Sequence, residues 1–176
     1  MFPDTYLIPK DTSAKDLVDR LKNTFNQKVD KSIFEKAAKN HLTEEETIIL
    51  ASLIEREAKT NQERPVIAGI LINRLNAGIA LQVDATVQYA KGYDASSNSW
   101  WPQVSLDDYK SVKSLYNTYL HLGLPPKPIA NPGLESIRAA ASPAQTDYLY
   151  YLHDSDGKIH YAETIEEHTK NIREYL

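Results

Sequence analysis

The stretch Leu50–Pro65, LASLIEREAKTNQERP, decides the fold, because an apolar helical run passes without a break into a dense set of charges. Upstream of it, Thr43 and Glu46 make a T-x-x-E capping box, the signal that opens a helix just before an apolar run. At about 100° per residue with Leu50 at zero, Ile54 lies at about +40°, Leu53 at about −60° and Ile49 at about −100°. Glu57 then falls at about −20°, in the middle of this stripe, whereas Glu55 (about +140°) and Arg56 (about −120°) fall towards its edges or back. Glu57 is the inward-pointing carboxyl, and Glu55 and Arg56 are expected in solvent.

A carboxylate laid over apolar surface loses hydration, which disfavours its charged form and raises its pKa. A glutamate that keeps its proton near neutrality is suited to general-acid chemistry. Its place near the helix end leaves a second reading open, an ion pair with Arg64 or Lys59. Glu46 projects to the same side, but the capping box accounts for it.

Working outward, residues 1–10 read as an extended lead-in, and Thr12 or Ser13 caps a helix to about Asn26. A short helix covers about Lys31 to Lys39. Beyond the quoted stretch, Pro65 sits in the first turn of a helix from near Arg64 that Gly78 stops, the usual placement of those two residue types. Asp84 caps a short helix ending at Gly92, and an irregular region extends to Gly133. Asn131-Pro132 starts another short helix that stops before Pro143. The alternation of DYLYYLHDSDGKIHYAE around Asp154–Gly157 marks a β-hairpin, and Thr164 with Glu167 forms a capping box for a final helix. The sum is an α+β domain, mainly helical with a small antiparallel sheet.

The 176 residues, 41% hydrophobic and 25% charged, suit one globular domain with a real core. A net charge of −4 without any basic block argues against nucleic acid as the main partner and leaves a neutral or weakly anionic polymer open. The absence of cysteine excludes disulfides and thiolate metal sites. No apolar run approaches the roughly 20 residues of a membrane span. Met1-Phe2-Pro3 leads straight into what reads as mid-domain sequence, so the chain is expected to be a piece of a longer protein.

The five histidines show no metal-ligand spacing, and no H-E-x-x-H, G-x-S-x-G, P-loop or G-x-G-x-x-G occurs; no metal or organic cofactor is indicated. His153 and His160 flank the hairpin turn and read as a cross-strand structural pair. More telling are polar residues set in structural contexts: Asn73 in GILINRLNAG, Gln82, Asp84 and Tyr89 in LQVDATVQYA, and Tyr116 and Asn117 in YNTY. Amide, hydroxyl and phenol groups bind sugar hydroxyls because they donate and accept within a small space. Each also has a structural reading: Asp84 as helix cap, Asn117 as turn former, the tyrosines as packing.

Taken in order, FPDTYLIPKDTSA, LASLIEREA, ERPVIAGILINRL, LQVDATVQYAKG, YNTYLHLGLPPKPIANPG and SIRAAASPAQTDYLYYL, with the closing hairpin and helix, resemble the endolytic murein transglycosylases of the MltG (YceG-like) family over nearly the whole chain. Departures are small: Ala85 stands where the family usually shows proline, Gln88 replaces an apolar residue, and Ala58 stands where Thr is common. The resemblance implies a lysozyme/transglycosylase-like fold and a single catalytic domain over residues 1–176. A membrane anchor and a LysM-like subdomain precede this region in the family, so the implied setting is the outer face of the bacterial plasma membrane. It implies peptidoglycan glycan strands as substrate, cell-wall synthases as companions, and cleavage of the MurNAc–GlcNAc β-1,4 bond with 1,6-anhydro ends that terminate nascent strands. The family's catalytic glutamate maps onto Glu57, in agreement with the projection. Asn73, Gln82, Asp84, Tyr89, Tyr116 and Asn117 are expected to line the groove. The rivals are a hydrolase in which Asp84 activates water and a module that binds glycan without cutting it.

Overall fold

Thr43 and Glu46 form their capping box: the Thr43 hydroxyl accepts from the Glu46 N–H, and the Glu46 carboxylate accepts from the Thr43 N–H at 2.9 Å. A computed structural model describes all residues 1–176. In chain order the elements are α1 (Ala14–Lys28), α2 (Lys31–Ala38), α3 (Glu44–Glu57), α4 (Arg64–Asn76), α5 (Asp84–Lys91), α6 (Asp108–Ser111), α7 (Leu134–Ala141), β1 (Tyr150–His153), β2 (Ile159–Ala162) and α8 (Ile165–Tyr175). This is the expected α+β class, with helices dominant and one antiparallel hairpin as the whole sheet. No helix is long and apolar enough to cross a membrane.

The capped helix α3 is the axis. It packs against α2, α4, α5 and α7, and Leu50, Leu53, Ile54, Ile67, Leu71, Ile137 and Ala140, none more than 1% exposed, form the middle of the core. From Ile49 to Ile54 every residue of α3 is buried, so the helix is enclosed on all sides there, beyond the single stripe that the projection describes. Ser52 allows this. Its hydroxyl donates to the Ile49 carbonyl at 2.7 Å and accepts the Ile129 N–H at 3.0 Å, so the polar side of the helix is satisfied inside the protein.

Glu55 is not in solvent as the projection leads one to expect. Its Oε2 accepts the Gly133 N–H at 3.0 Å and the Ser136 hydroxyl at 2.6 Å. Those groups open α7, and a carboxylate at a helix N-terminus satisfies unpaired N–H groups and complements the dipole. The same contact explains why α7 begins at Leu134, with Gly133 as its cap, later than Asn131-Pro132 suggests. Asp84 is a second correction. It is the first residue of α5 and makes no capping bond, the cap position being Val83, because tyrosines described below take up its carboxylate. The irregular stretch before Gly133 also contains the four-residue helix α6.

In the hairpin, Tyr151 pairs with Tyr161 and His153 with Ile159. His153 and His160 are therefore out of register and lie on opposite faces. Each finds its own acid, His153 at 3.1 Å from Glu63 and His160 at 2.8 Å from Asp154. Helix α8 packs across both strands.

One glycine is needed for close approach. A Cβ on Gly69, in mid-α4, would meet the Ala144 carbonyl oxygen at 2.4 Å, where the chain leading to the hairpin is tied to α4 by the Ala144 N–H bond to Pro65 O at 2.8 Å. Gly69→Ala is expected to destabilise by about 1–3 kcal/mol through overpacking. At roughly 2–4 °C per kcal/mol for a domain of this size, thermal unfolding followed by circular dichroism should show the loss; an unchanged midpoint would mean that this segment yields freely.

Candidate active site

Glu57 is the last residue of α3, so its backbone is set by the core while its side chain leaves the helix end. It enters a cleft of about 570 Å³ whose walls include Arg74, Gln82, Asp84, Tyr109, Tyr119, Tyr150, Tyr151 and His168. The Tyr151 phenol, from β1, donates to Glu57 Oε2 at 2.7 Å. The Ala85 N–H at the start of α5 also acts on this carboxylate. Neither basic residue named by the ion-pair reading reaches it: Arg64 is bound to Glu55, Ser136 and Asn61. Arg56 stays exposed but lies over the Trp101 ring, 3.8 Å from its centroid.

Burial holds the Glu57 carboxyl above the ordinary carboxylate range, and the nearby charge of Asp84 pushes the same way. The Tyr151 phenol and the Ala85 N–H favour the anion and oppose the shift without cancelling it. The phenol itself is held well above its ordinary range by burial and by the facing glutamate, so it remains a donor.

Asp84 is held open to the cleft. The Tyr119 and Tyr109 phenols donate to its two oxygens at 2.5 and 3.3 Å, with their rings stacked 3.9 Å apart. Burial and the Asp84 carboxylate keep the Tyr119 phenol far above its ordinary range. Gln82 adopts φ +54°, a left-handed conformation uncommon for a residue with a side chain and worth noting beside a site. Its N–H bonds Thr118 O at 3.1 Å, and the adjacent Val83 N–H bonds the buried Thr118 hydroxyl at 3.0 Å. Its side-chain oxygen accepts from Arg74.

Of the residues singled out in the sequence, Glu57, Gln82 and Asp84 meet in this cleft. The other four are placed outside its lining. The Asn73 amide donates to Thr146 O and Tyr148 O at 2.7 and 3.1 Å, fastening α4 to the approach to β1. Asn117, 0% exposed, donates to Tyr109 O and Val112 O and accepts from the Tyr119 N–H, so it shapes the loop that carries the Asp84-binding tyrosines. Tyr89 and Tyr116 tilt against each other with centroids 4.8 Å apart.

The sequence reading missed Arg74, Tyr151 and His168. Arg74 is 5% exposed, and it donates to Ala80 O, Leu149 O and the Gln82 side chain, without a carboxylate partner. It thereby joins the two cleft walls. His168 stacks on Tyr150 at 5.2 Å, its Nδ1 is buried without a partner, and burial followed by the Arg74 charge lowers its pKa, keeping it neutral. The alternation of DYLYYLH foretells the strand, but only its pairing register says which tyrosine faces α3. No three His, Cys, Asp or Glu side chains converge to hold a metal ion.

Fold and cleft define an α+β domain with one shielded carboxyl in a phenol-rich furrow. The profile of the YceG-like family matches residues 1–174, and the chain belongs to that family. It is 37% identical over 177 residues to an endolytic murein transglycosylase of Bacillus subtilis strain 168, covering 100% of this chain and 47% of the relative. It is 32% identical over 178 residues to one from Streptococcus pneumoniae strain R6, covering 100% and 32%. A crystal structure of a YceG-like protein from Listeria monocytogenes superposes with a TM-score of 0.83 at 33% identity, over 96% of this chain and 53% of that one. The chain thus spans about a third to a half of the length of these relatives.

The raised pKa of Glu57 has a signed consequence for stability. Because the folded-state pKa lies above the unfolded value of about 4.5, the folded state binds the extra proton. The contribution is fully present below that value and is lost as pH rises through the folded-state pKa. Glu57→Gln should therefore gain stability relative to the parent at neutral pH and lose that advantage below about pH 4. Chemical denaturation at both pH values checks this; an advantage that grows in acid would reverse the sign.

Proposed function

We propose that this domain is the catalytic part of an endolytic peptidoglycan lytic transglycosylase, with Glu57 as its general acid and then its general base. The observation that carries the reading is a carboxyl hydrogen-bonded to a phenol inside a cleft of sugar-binding size, where burial raises its pKa. Identity of 32% and 37% along the whole of this chain to parts of proteins named endolytic murein transglycosylase supports the substrate class.

Glu57 gives its proton to the oxygen of the MurNAc–GlcNAc bond as that bond breaks. Positive charge gathers on the MurNAc C1, and the Asp84 carboxylate lies near enough to raise the pKa of Glu57, so it also favours a cation at that place. Glu57, now an anion, is stabilised by the Tyr151 phenol and the Ala85 N–H. It then takes the proton of the MurNAc C6 hydroxyl while that oxygen closes on C1. Each step returns what the other spent, and no water enters. One carboxyl suffices because the substrate carries the nucleophile, whereas common two-carboxylate hydrolases need a second acid. Gln82, fixed by Arg74 and the Thr118 carbonyl, presents its remaining amide donors to sugar hydroxyls.

Glu57→Gln should lower cleavage of purified peptidoglycan by about 10²–10⁴-fold, the usual worth of a positioned acid or base, while strands still bind. Mass spectrometry of the wild-type digest should show anhydro ends, one water lighter than reducing ends. Reducing ends would assign a hydrolase with Asp84 activating water; intact strands would leave a binding module.

A further inference from the structure

A second cavity of about 680 Å³ lies beyond α5, bordered by Tyr93, Asp94, Ser97, Gln103 and Asp108. It adjoins the catalytic cleft through α6: Tyr109 faces the cleft and binds Asp84, whereas its neighbour Asp108 faces the outer cavity. Helix α5 links the two sites, with Asp84 at one end and Lys91 at the other. Seven residue steps put these ends about 10 Å apart, the order of a disaccharide.

Tyr93 borders this cavity, and the Trp100 ring lies against Tyr93, outside the cavity's own lining. Tyr93 is 48% and Trp100 68% exposed, with centroids 5.2 Å apart and planes tilted by 51°. Adjacent exposed rings are uncommon on a surface with no partner, because Tyr and Trp side chains gain most from contact. The Tyr93 ring and the backbone of its loop are also tethered before any ligand arrives. The Tyr93 phenol donates to Asn98 Oδ1 at 2.6 Å, and the Asp94 and Ser99 backbones pair in an isolated β-bridge. Next along the chain, Trp101 is anchored beneath Arg56, the neighbour of Glu57. A rigid loop loses little entropy on binding.

We infer that the Tyr93–Trp100 pair and the adjoining polar cavity form an outlying subsite for a neutral sugar of the same glycan strand, beyond α5 from the catalytic cleft. The rings offer apolar faces to the C–H faces of a pyranose, while Asp94, Ser97, Gln103 and Asp108 accept from or donate to its hydroxyls. Lys91 also lines the cavity and pairs with Asp108 at 2.7 Å, so Asp94 leaves the rim with a net negative charge, which makes an anionic membrane the poorer occupant. The inference rests on the glycan reading proposed above. It adds that a strand long enough to extend past α5 gains a contact on this side of the cleft.

The test uses Trp100→Ala, with Trp100→Phe as the conservative partner, in the whole chain; at 68% exposure neither change touches the core. Peptide-free glycan strands of long and short length are digested in parallel. The ratio of long-strand to short-strand cleavage should fall about tenfold in Trp100→Ala, the loss expected of one anchoring aromatic, and recover largely in Trp100→Phe. In a Glu57→Gln background, tryptophan emission should shift to the blue when long strands bind, and the shift should be absent with Trp100→Ala. Cleavage with an unchanged ratio and no emission shift would overturn the subsite while leaving the catalytic reading intact. Trp100-dependent binding without any cleavage would uphold the subsite and overturn that reading. Trp100-dependent retention on anionic vesicles, with no response to strands, would assign the rings to a membrane face and overturn the proposal.

Discussion

The enclosed carboxyl of Glu57 at the end of α3 is the constraint on which the site depends. Two influences act on it in opposite directions: loss of water keeps the proton on, while the Tyr151 phenol and the Ala85 N–H make the anion tolerable. A group under only the first would hold its proton too firmly to release it. A group under only the second would ionise and have nothing to give. The site needs both, because the proposed reaction visits both charge states within one turnover.

Much of the remaining structure can be read as holding those opposing groups at hydrogen-bonding distance. Burial of α3 on every side fixes the helix end that carries Glu57. Asn73 and Gly69 let the chain leading to β1 run tight along α4, and this sets where Tyr151 arrives. Thr118 fastens the Gln82–Val83 turn from the other side, and this sets where the first N–H groups of α5 point. Arg74, a buried cation bonded to Ala80 O, Leu149 O and Gln82, joins both walls. A buried charge satisfied only by neutral dipoles is costly unless its bonds are well made, and here those bonds also shape the cleft.

The local signals were legible in the sequence, and the long-range ones were not. Capping boxes, the Pro65 start and the hairpin alternation act within a few residues, and each element they mark is present. The 3.6-residue period also gave the direction of Glu57. The same projection misjudged Glu55, whose partner Gly133 is 78 residues away, because a periodicity says nothing of what covers the back of a helix. Asp84 looked like a cap since acids often are, and two tyrosines brought round by the Asn117 loop claimed it instead. Asn73 and Asn117 showed as embedded polar residues, but the sequence could not tell amides that fasten loops from amides that face a ligand. The answer depends on which carbonyls the fold leaves unpaired nearby.

The central claim is that Glu57 holds its proton above the range of an ordinary glutamate. The direct measurement is a ¹³C NMR titration of the side-chain carboxyl in protein labelled at glutamate, with the Glu57 signal assigned by its absence in Glu57→Gln. The account predicts a midpoint clearly above 4.5, moving higher when Tyr151 is replaced by Phe. A midpoint at or below that value, unmoved by the loss of the phenol, would contradict it.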